Sequence, residues 1–391
     1  MPKRDVILNL PGFTVVSVSG YDPVIFELKY RRKARCAYCN GKELRKKSSF
    51  MRRVRHETIG HRKTILRFKA YKFYCNQCCR YFNQQFPGIP KYQRATERLH
   101  KQIFFQHTEG ISQKDLAKNF KVSTTTVERW YHRCYKREYQ EFSQYRCPSV
   151  LGIDEHSFNK KIGYVTTLCD LRKHRIFDVV KGKSGVELTD YFNRLEAREN
   201  VKVVCMDFSS SYRQLVQRYF PKAIIVSDRF HVIRLLQRQC MQTYQEIDPE
   251  IKYQRGLIRA LRTKPENLTS KRLARRNAYF EKQPAIEAIY EFKQKLYSVL
   301  MKKTMTARRC RKYIPIFLKM LTALKTSGFK HLVTLGKTLT TWKEAIVCMW
   351  RFTKNNGITE GFHRKMKLIQ RRAYGFRNFE NYRLRVKVLC A

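Results

Sequence analysis

A mixed α/β sheet domain, preceded by two small modules and carrying a long helical segment, is the fold class the sequence predicts. Three observations point to it. From Ser149 onward, short apolar runs alternate with amphipathic stretches, the pattern of strands and helices that share a sheet. Two CxxC pairs stand near the N-terminus, ahead of a helical region with a tight turn. Beyond His231 the chain reads as almost wholly helical until about Trp350, and from Phe292 to Lys343 it holds 13 Lys and Arg without a single Asp or Glu.

The 391 residues suffice for two or three domains with their own cores. The 82 Lys and Arg against 31 Asp and Glu give a formal charge of +51. Such an excess repels itself in a compact state unless a polyanion is near, and nucleic-acid phosphates are the commonest polyanion. No window approaches the roughly 18 apolar residues of a membrane span. The opening "MPKRDVILNLPG" is broken by Asn9 and Pro11 before a signal-peptide core forms. The expectation is a soluble intracellular protein with no membrane partner. The 13 cysteines, odd in number and scattered, argue for reduced thiols rather than a secreted disulfide framework.

Cys36 and Cys39 in "ARCAYCNGK", with Cys75 and Cys78 in "KFYCNQCCRYF", form two thiolate knuckles that together make a closed tetrahedral site for one Zn2+ ion. The intervening "MRRVRHETIGHRKTILRFKAYKF" alternates charged and apolar residues, as antiparallel strands do, so a small ribbon would bring the pairs together. Cys79 and His56 are possible substitute ligands. After the break at "FPGIPKYQ", Leu116, Ala117 and Phe120 make one apolar helix face, Lys121 and Val122 a turn, and Ser123 or Thr124 a cap for the next helix. Val127 and Trp130 face inward there. This is a helix-turn-helix pattern, offering Thr124, Thr125, Glu128 and Arg129 to a major groove.

In the α/β region, "VLGID", "YVTTLCDL" and "RIFDVV" read as strands, "GVELTDYFNRLEA" as a helix, "VKVVCMD" as a buried strand, "YRQLVQRYF" as a helix and "AIIVSDRFH" as a strand. Only ten Asp occur in the chain, and Asp154, Asp207 and Asp228 stand at the C-terminal ends of such runs, where α/β proteins build sites. Clustered carboxylates repel unless a cation sits among them, and hard oxygen ligands select Mg2+ or Mn2+. Glu360, in the first helical turn after a turn marked by Asn355, Asn356 and Gly357, would complete a two-metal centre. His363 or Arg364, then Lys367 and Arg371, follow it as a cationic stripe.

The stretches "GIDEHSFNK", "MDFSSSY", "VSDRFHV" and "NNGITEGFHRKMKLIQRRAYGFRNFENYRLRV", together with the paired CxxC, resemble the ISL-three family of bacterial insertion-sequence transposases over nearly the whole chain. The resemblance implies an RNase H-like core with a DDE triad, interrupted by a helical insertion, behind a zinc-binding domain and a helix-turn-helix. On this reading residues 1–90 bind zinc, 91–147 form the helix-turn-helix, 148–237 begin the core, 238–350 are the basic insertion, and 351–391 return with the catalytic glutamate. The implied triad is Asp154, Asp207 and Glu360, holding two Mg2+ or Mn2+ ions. Asp228 and His231 match the DRFH motif and support the site. Where the family often carries Asn three residues after the glutamate, this chain has His363. The implied partners are double-stranded DNA, as element ends and target, and a second copy of the chain in a dimer or larger assembly. The implied location is the cytoplasm, on the bacterial nucleoid. A DNA-binding regulator without catalysis and a stand-alone metal-dependent nuclease are the alternatives.

Overall fold

The computed structural model describes residues 8–142, 146–159, 163–352 and 357–391. It divides into two compact units, Met1–Glu141 with Ile369–Arg377, and Phe142–Leu368 with Asn378–Ala391. The turn expected at Asn355 and Asn356 lies outside the described residues.

The first unit is built on a five-stranded sheet. Strands β1 (Phe13–Ser19) and β2 (Val24–Tyr30) pair antiparallel; β3 (Leu44–Ile59) and β4 (Arg62–Cys75) form a long hairpin, and the short β5 (Arg80–Asn83) returns along β4. The order is β1-β2-β4-β3, with β5 on the far end of β4. The half of the hairpin near its turn carries the larger core, where Val54, Leu66 and Phe68 bury against Phe13, Phe26 and Phe86. Arg45 to Met51 are exposed throughout. Helices α1 (Glu97–Thr108), α2 (Gln113–Phe120) and α3 (Thr124–Phe142) follow. Thr96 and Ser112 cap the first two by accepting the Leu99 and Asp115 amides. Lys121 ends α2 in the left-handed region at φ 47°, and Ser123 accepts the Thr126 amide, so the tight turn falls where the sequence predicts it. Leu116, Phe120, Val127 and Trp130 are buried.

In the second unit, β6 (Val150–Asn159), β7 (Gly163–Asp170) and β8 (Arg175–Lys181) form an antiparallel meander. Strands β9 (Val203–Met206) and β10 (Ile224–Ser227) run parallel to β6 on its other side, in the order β10-β9-β6-β7-β8. Helix α4 (Gly185–Asn193) leads from the meander and α5 (Ser210–Tyr219) joins β9 to β10. They bury Leu188, Phe192, Tyr212 and Val216, the apolar stripes that the sequence pattern marks.

After β10 come α6 (Arg229–Ile247), α7 (Arg255–Arg262), α8 (Ser270–Lys282), α9 (Pro284–Leu300), α10 (Ala307–Lys325), α11 (Lys330–Thr341) and α12 (Lys343–Arg351). This helical segment shares one continuous core with the sheet, from Leu151 and Val204 through Leu296 and Phe317 to Trp350. Arg229, buried, donates to the carbonyls of Lys302, between α9 and α10, and Met349, in α12, and so ties the middle and the end of the segment to its start beside β10. Its cations are not all a solvated face. Lys293 is buried, donates to the Leu261 carbonyl at 2.6 Å, and is pushed down to about 8 by burial.

Helices α13 (Gly357–Arg372) and α14 (Phe379–Leu389) close the chain. An ion cluster holds α14 to the sheet: Asp178 of β8 accepts two bonds from Arg383 at 2.7 Å, with Lys387 at 3.5 Å and the Tyr191 hydroxyl donating at 3.1 Å. Burial pushes the Asp178 carboxyl up, but Arg383 and Lys387 outweigh it and hold it below the usual carboxylate range. A depressed folded-state pKa means the contribution to stability is present above the ordinary value of about 4 and is lost as pH falls. Asp178→Ala leaves two cations without their buried partner, and is expected to cost roughly 3–5 kcal/mol at neutral pH. Urea unfolding at pH 7 measures this, and a loss under 1 kcal/mol would contradict it.

Candidate active site

Parallel pairing aligns the three aspartates. Ile153 of β6 is opposite Met206 of β9, and Met206 is opposite Ser227 of β10. One residue further, Asp154, Asp207 and Asp228 therefore stand in a single row across three neighbouring strands spaced roughly 4.8 Å apart. One expectation needs correction. Asp154 does not end its strand, because β6 continues to Asn159 on the side paired with β7. It marks instead the point where the ladder to β9 stops, which leaves its flank open toward Asp207.

Crowding and burial show in the electrostatics. Burial pushes Asp154 up to about 7, with Asp207 and Asp228 pushing the same way against His231 and the Glu155 amide. Asp207 is also raised, chiefly by burial, and its Oδ1 is buried without a hydrogen-bond partner. Asp228 caps α6 by accepting the Phe230 amide, and its other oxygen meets His231 Nδ1 at 2.7 Å. That bond raises the His231 pKa, favouring the charged ring beside the acidic row.

Helix α13 reaches the same strands. Thr359 is fully buried and its hydroxyl bonds Cys169 of β7. His363 lies with Nε2 at 3.1 Å from Thr167 Oγ1 and Nδ1 at 3.8 Å from Asp154 Oδ2. Burial, aided by His156 and Lys367, brings its pKa down to about 3, so the ring is neutral and the approach to Asp154 is not a charge pair. Glu360, one turn before His363, is half-exposed and paired with Arg364 at 3.4 Å. The structure thus brings Asp154, Asp207, Asp228, His231 and His363 together, and keeps the Glu360 carboxylate on its own helix. Arg364, Lys367 and Arg371 are all exposed, continuing the stripe from Glu360.

The acidic row suits a divalent cation. A raised Asp154, a raised Asp207 and an orphaned buried Asp207 oxygen describe oxygen ligands that His231 and the Glu155 amide only partly compensate.

In the first unit the register Leu44 to Cys75 brings the knuckles together. The four sulfurs of Cys36, Cys39, Cys75 and Cys78 lie within 4.8 Å of one another, and among the described residues no other group of three or more His, Cys, Asp or Glu converges so closely. Cys36 to Cys78 and Cys39 to Cys75 are each 3.5 Å, near the ~3.8 Å edge of a tetrahedron with Zn–S bonds of about 2.3 Å. Burial pushes the Cys36 thiol up, but the Cys39 and Tyr38 amides bring it down to about 6, while burial and its sulfur neighbours push Cys78 up to about 12. Four thiolates at this spacing fit a structural zinc. His56 bonds Thr96 and Cys79 bonds the Asn76 carbonyl instead. On α3, Thr124, Thr125 and Arg129 are exposed, while Glu128 pairs with His132 at 3.6 Å.

Sequence reasoning missed Thr167 and Thr359, which seat α13, and Tyr382, whose hydroxyl bonds His156 Nε2 at 2.9 Å. Alternation along β7 marked Thr167 as strand, but nothing in its type announced a partner nearly 200 positions away.

Residues 151–386 match the model of a DDE-type transposase family, ISL3. Residues 84–135 match the helix-turn-helix domain of transposase family ISL3, and 32–78 the zinc-finger of transposase IS204/IS1001/IS1096/IS1165. The chain is 24% identical over 363 residues to the transposase for insertion sequence element IS1001 of Bordetella parapertussis, covering 90% of this chain and 87% of that one. Among the described residues, no helix is long and apolar enough to cross a membrane. With a zinc-ligand set, a helix-turn-helix and an acidic row in the order this family carries them, the chain belongs to the ISL3 family of DDE transposases and is a DNA transposase.

Proposed function

We propose that the chain binds the terminal inverted repeats of its own element and cuts and rejoins DNA on an RNase H-like core, with Asp154, Asp207 and Glu360 holding two Mg2+ or Mn2+ ions. The observation that carries this is the row of Asp154, Asp207 and Asp228 at the end of the β6, β9 and β10 ladders, faced by the helix that bears Glu360. The strand order, an antiparallel meander followed by two strands parallel to its first, supports the RNase H-like reading.

When bound, the divalent ions supply the charge that activates an attacking oxygen and stabilises the leaving one. Asp154 and Asp207 offer the two adjacent carboxylates, and rotation of Glu360 away from Arg364 adds the third. Asp228, fixed by the Phe230 amide, holds His231 against the row. His363 keeps α13 against Asp154 in neutral form, and its single ring N–H can donate to one oxygen. Arg364, Lys367 and Arg371 offer charge to the backbone of the cleaved strand. Pairing two ends requires a dimer or larger assembly, and the cytoplasmic nucleoid is the site of action.

A regulator without catalysis is the second reading, favoured by one observation: Glu360 is engaged by Arg364. Incubation of the whole protein with duplexes carrying the flanking element ends, target DNA and Mg2+ decides. Cleavage at the ends with products joined to target supports the proposal. Products never joined indicate a nuclease, and intact ends indicate the regulator.

Thr124, Thr125 and Arg129 are the proposed base readers. Arg129→Ala is expected to narrow the preference for element ends over scrambled duplex by roughly 1–3 kcal/mol, the worth of one good base contact. Competition binding at fixed salt measures it, and an unchanged preference would remove Arg129 from the reading helix.

A further inference from the structure

The far half of the β3–β4–β5 ribbon has two faces of different character. One face packs the knuckles: Phe73, Cys75 and Phe82 bury with Cys36. The other carries a cross-strand row, Arg45 opposite Tyr74 and Tyr74 opposite Tyr81, with Lys72 two residues away on β4. The Tyr74 and Tyr81 rings are 4.8 Å apart. Lys47, at the irregularity between Lys46 and Ser48, lies over both rings at 5.5 and 5.9 Å, and Lys72 over Tyr81 at 5.4 Å. Tyr81 is 54% exposed.

Edge protection does not explain this face. Lysines that guard a sheet against aggregation belong on the edge strand. Lys47 lies on the edge strand β3, but Lys72 and Tyr74 sit on β4, between β3 and β5. No Asp or Glu occurs from Leu44 to Glu57's predecessor His56, nor from Arg62 to Phe82. Among the described residues, none of Arg45, Lys47 and Lys72 has a carboxylate partner. Cations without a carboxylate partner, beside the exposed Tyr81, match the donors that proteins direct at phosphates, while the Tyr74 hydroxyl is bonded to Cys79 and its ring backs the row.

Resting on the transposase reading, we propose that Lys47, Lys72 and Tyr81, backed by the Tyr74 ring, form a contact surface for the phosphate backbone of duplex DNA, separate from the reading helix α3. The zinc knuckles hold the ribbon on its other face. The surface positions the protein on DNA without reading bases.

The test is binding of the full-length protein to a mixed-sequence duplex of about 50 bp, without divalent metal, across a salt series. Each phosphate contact contributes roughly 0.9 to the slope of log K against log salt. Lys47→Ser with Lys72→Ser is expected to lower the slope by about 1.8, while Lys46→Ser with Lys69→Ser, an equal charge loss on the opposite face, leaves it within about 0.5. Tyr81→Ala and Tyr81→Phe are expected to weaken binding equally, several-fold, because the hydroxyl makes the contact. Zinc content near one per chain shows that each variant has folded its ribbon. Equal slopes for the two lysine pairs, or an unchanged slope in the first, overturn the assignment. Full binding by Tyr81→Phe overturns its backbone form, since the ring would then stack on an exposed base. Binding of all variants like the parent sinks only this surface, whereas a parent that ignores duplex sinks the DNA reading with it.

Discussion

Replacement of Asp154 by Asn is expected to lower metal-dependent cleavage and joining by three orders of magnitude or more, with duplex binding in metal-free buffer unchanged. Metal charge contributes several kcal/mol to a phosphoryl transition state, and about 1.4 kcal/mol is tenfold in rate. The Asn side chain is isosteric and keeps an oxygen to accept the Glu155 amide now bonded at 2.8 Å. It removes the charge that draws a cation into the row. It also removes one of the charges that raise the Asp207 carboxyl's neighbour His231, so the His231 pKa is expected to fall. Imidazole titration by NMR thus reports on the same substitution without any turnover. Cleavage within tenfold of the parent would exclude Asp154 as a ligand.

Removal of zinc is the second large effect. The buried cluster around the knuckles is small, Cys36, Phe73, Cys75 and Phe82 among the described residues. Structural zinc in comparable small sites binds with an apparent ~10–16 kcal/mol that doubles as folding free energy. Chelation, or Cys36→Ser, is therefore expected to release the segment from Ala34 to Glu43 and the Cys75–Arg80 turn to proteolysis. The second unit, whose core contains no part of this cluster, is expected to keep its own unfolding transition. Metal analysis and limited proteolysis check both. Protein without zinc that resists cleavage as well as the untreated chain would show that the thiols have another purpose.

Much of the site is legible in the sequence because scarce residue types fall in dense local patterns. Paired CxxC spacing names a ligand set, and aspartates after apolar runs name a sheet edge. The helix-turn-helix is legible from the spacing of Leu116, Phe120, Val127 and Trp130, which burial then realises. What pairing decides is not legible. Neither the alignment of Asp154, Asp207 and Asp228 nor the extension of β6 to Asn159 follows from any one strand, since both depend on which residue of a neighbour stands opposite. β1 is hard to see for another reason: of its seven residues only Phe13 is buried, so alternation is faint. The Glu360–Arg364 pair is a side-chain contact along one helix that composition does not express.

The row of aspartates makes the core unevenly tolerant of changes in length. Each carboxylate is placed by counting residues from the start of its strand, so deleting one residue from Val150–Ile153, Val203–Met206 or Ile224–Ser227 turns that acid to the opposite side of the sheet. Residues added to the connections between α7 and α12 alter no such count, because they enter after Asp228 and leave before Glu360. The chain can therefore lengthen or shorten there while its chemistry stays in place, whereas twelve residues paired across three strands admit no change of number.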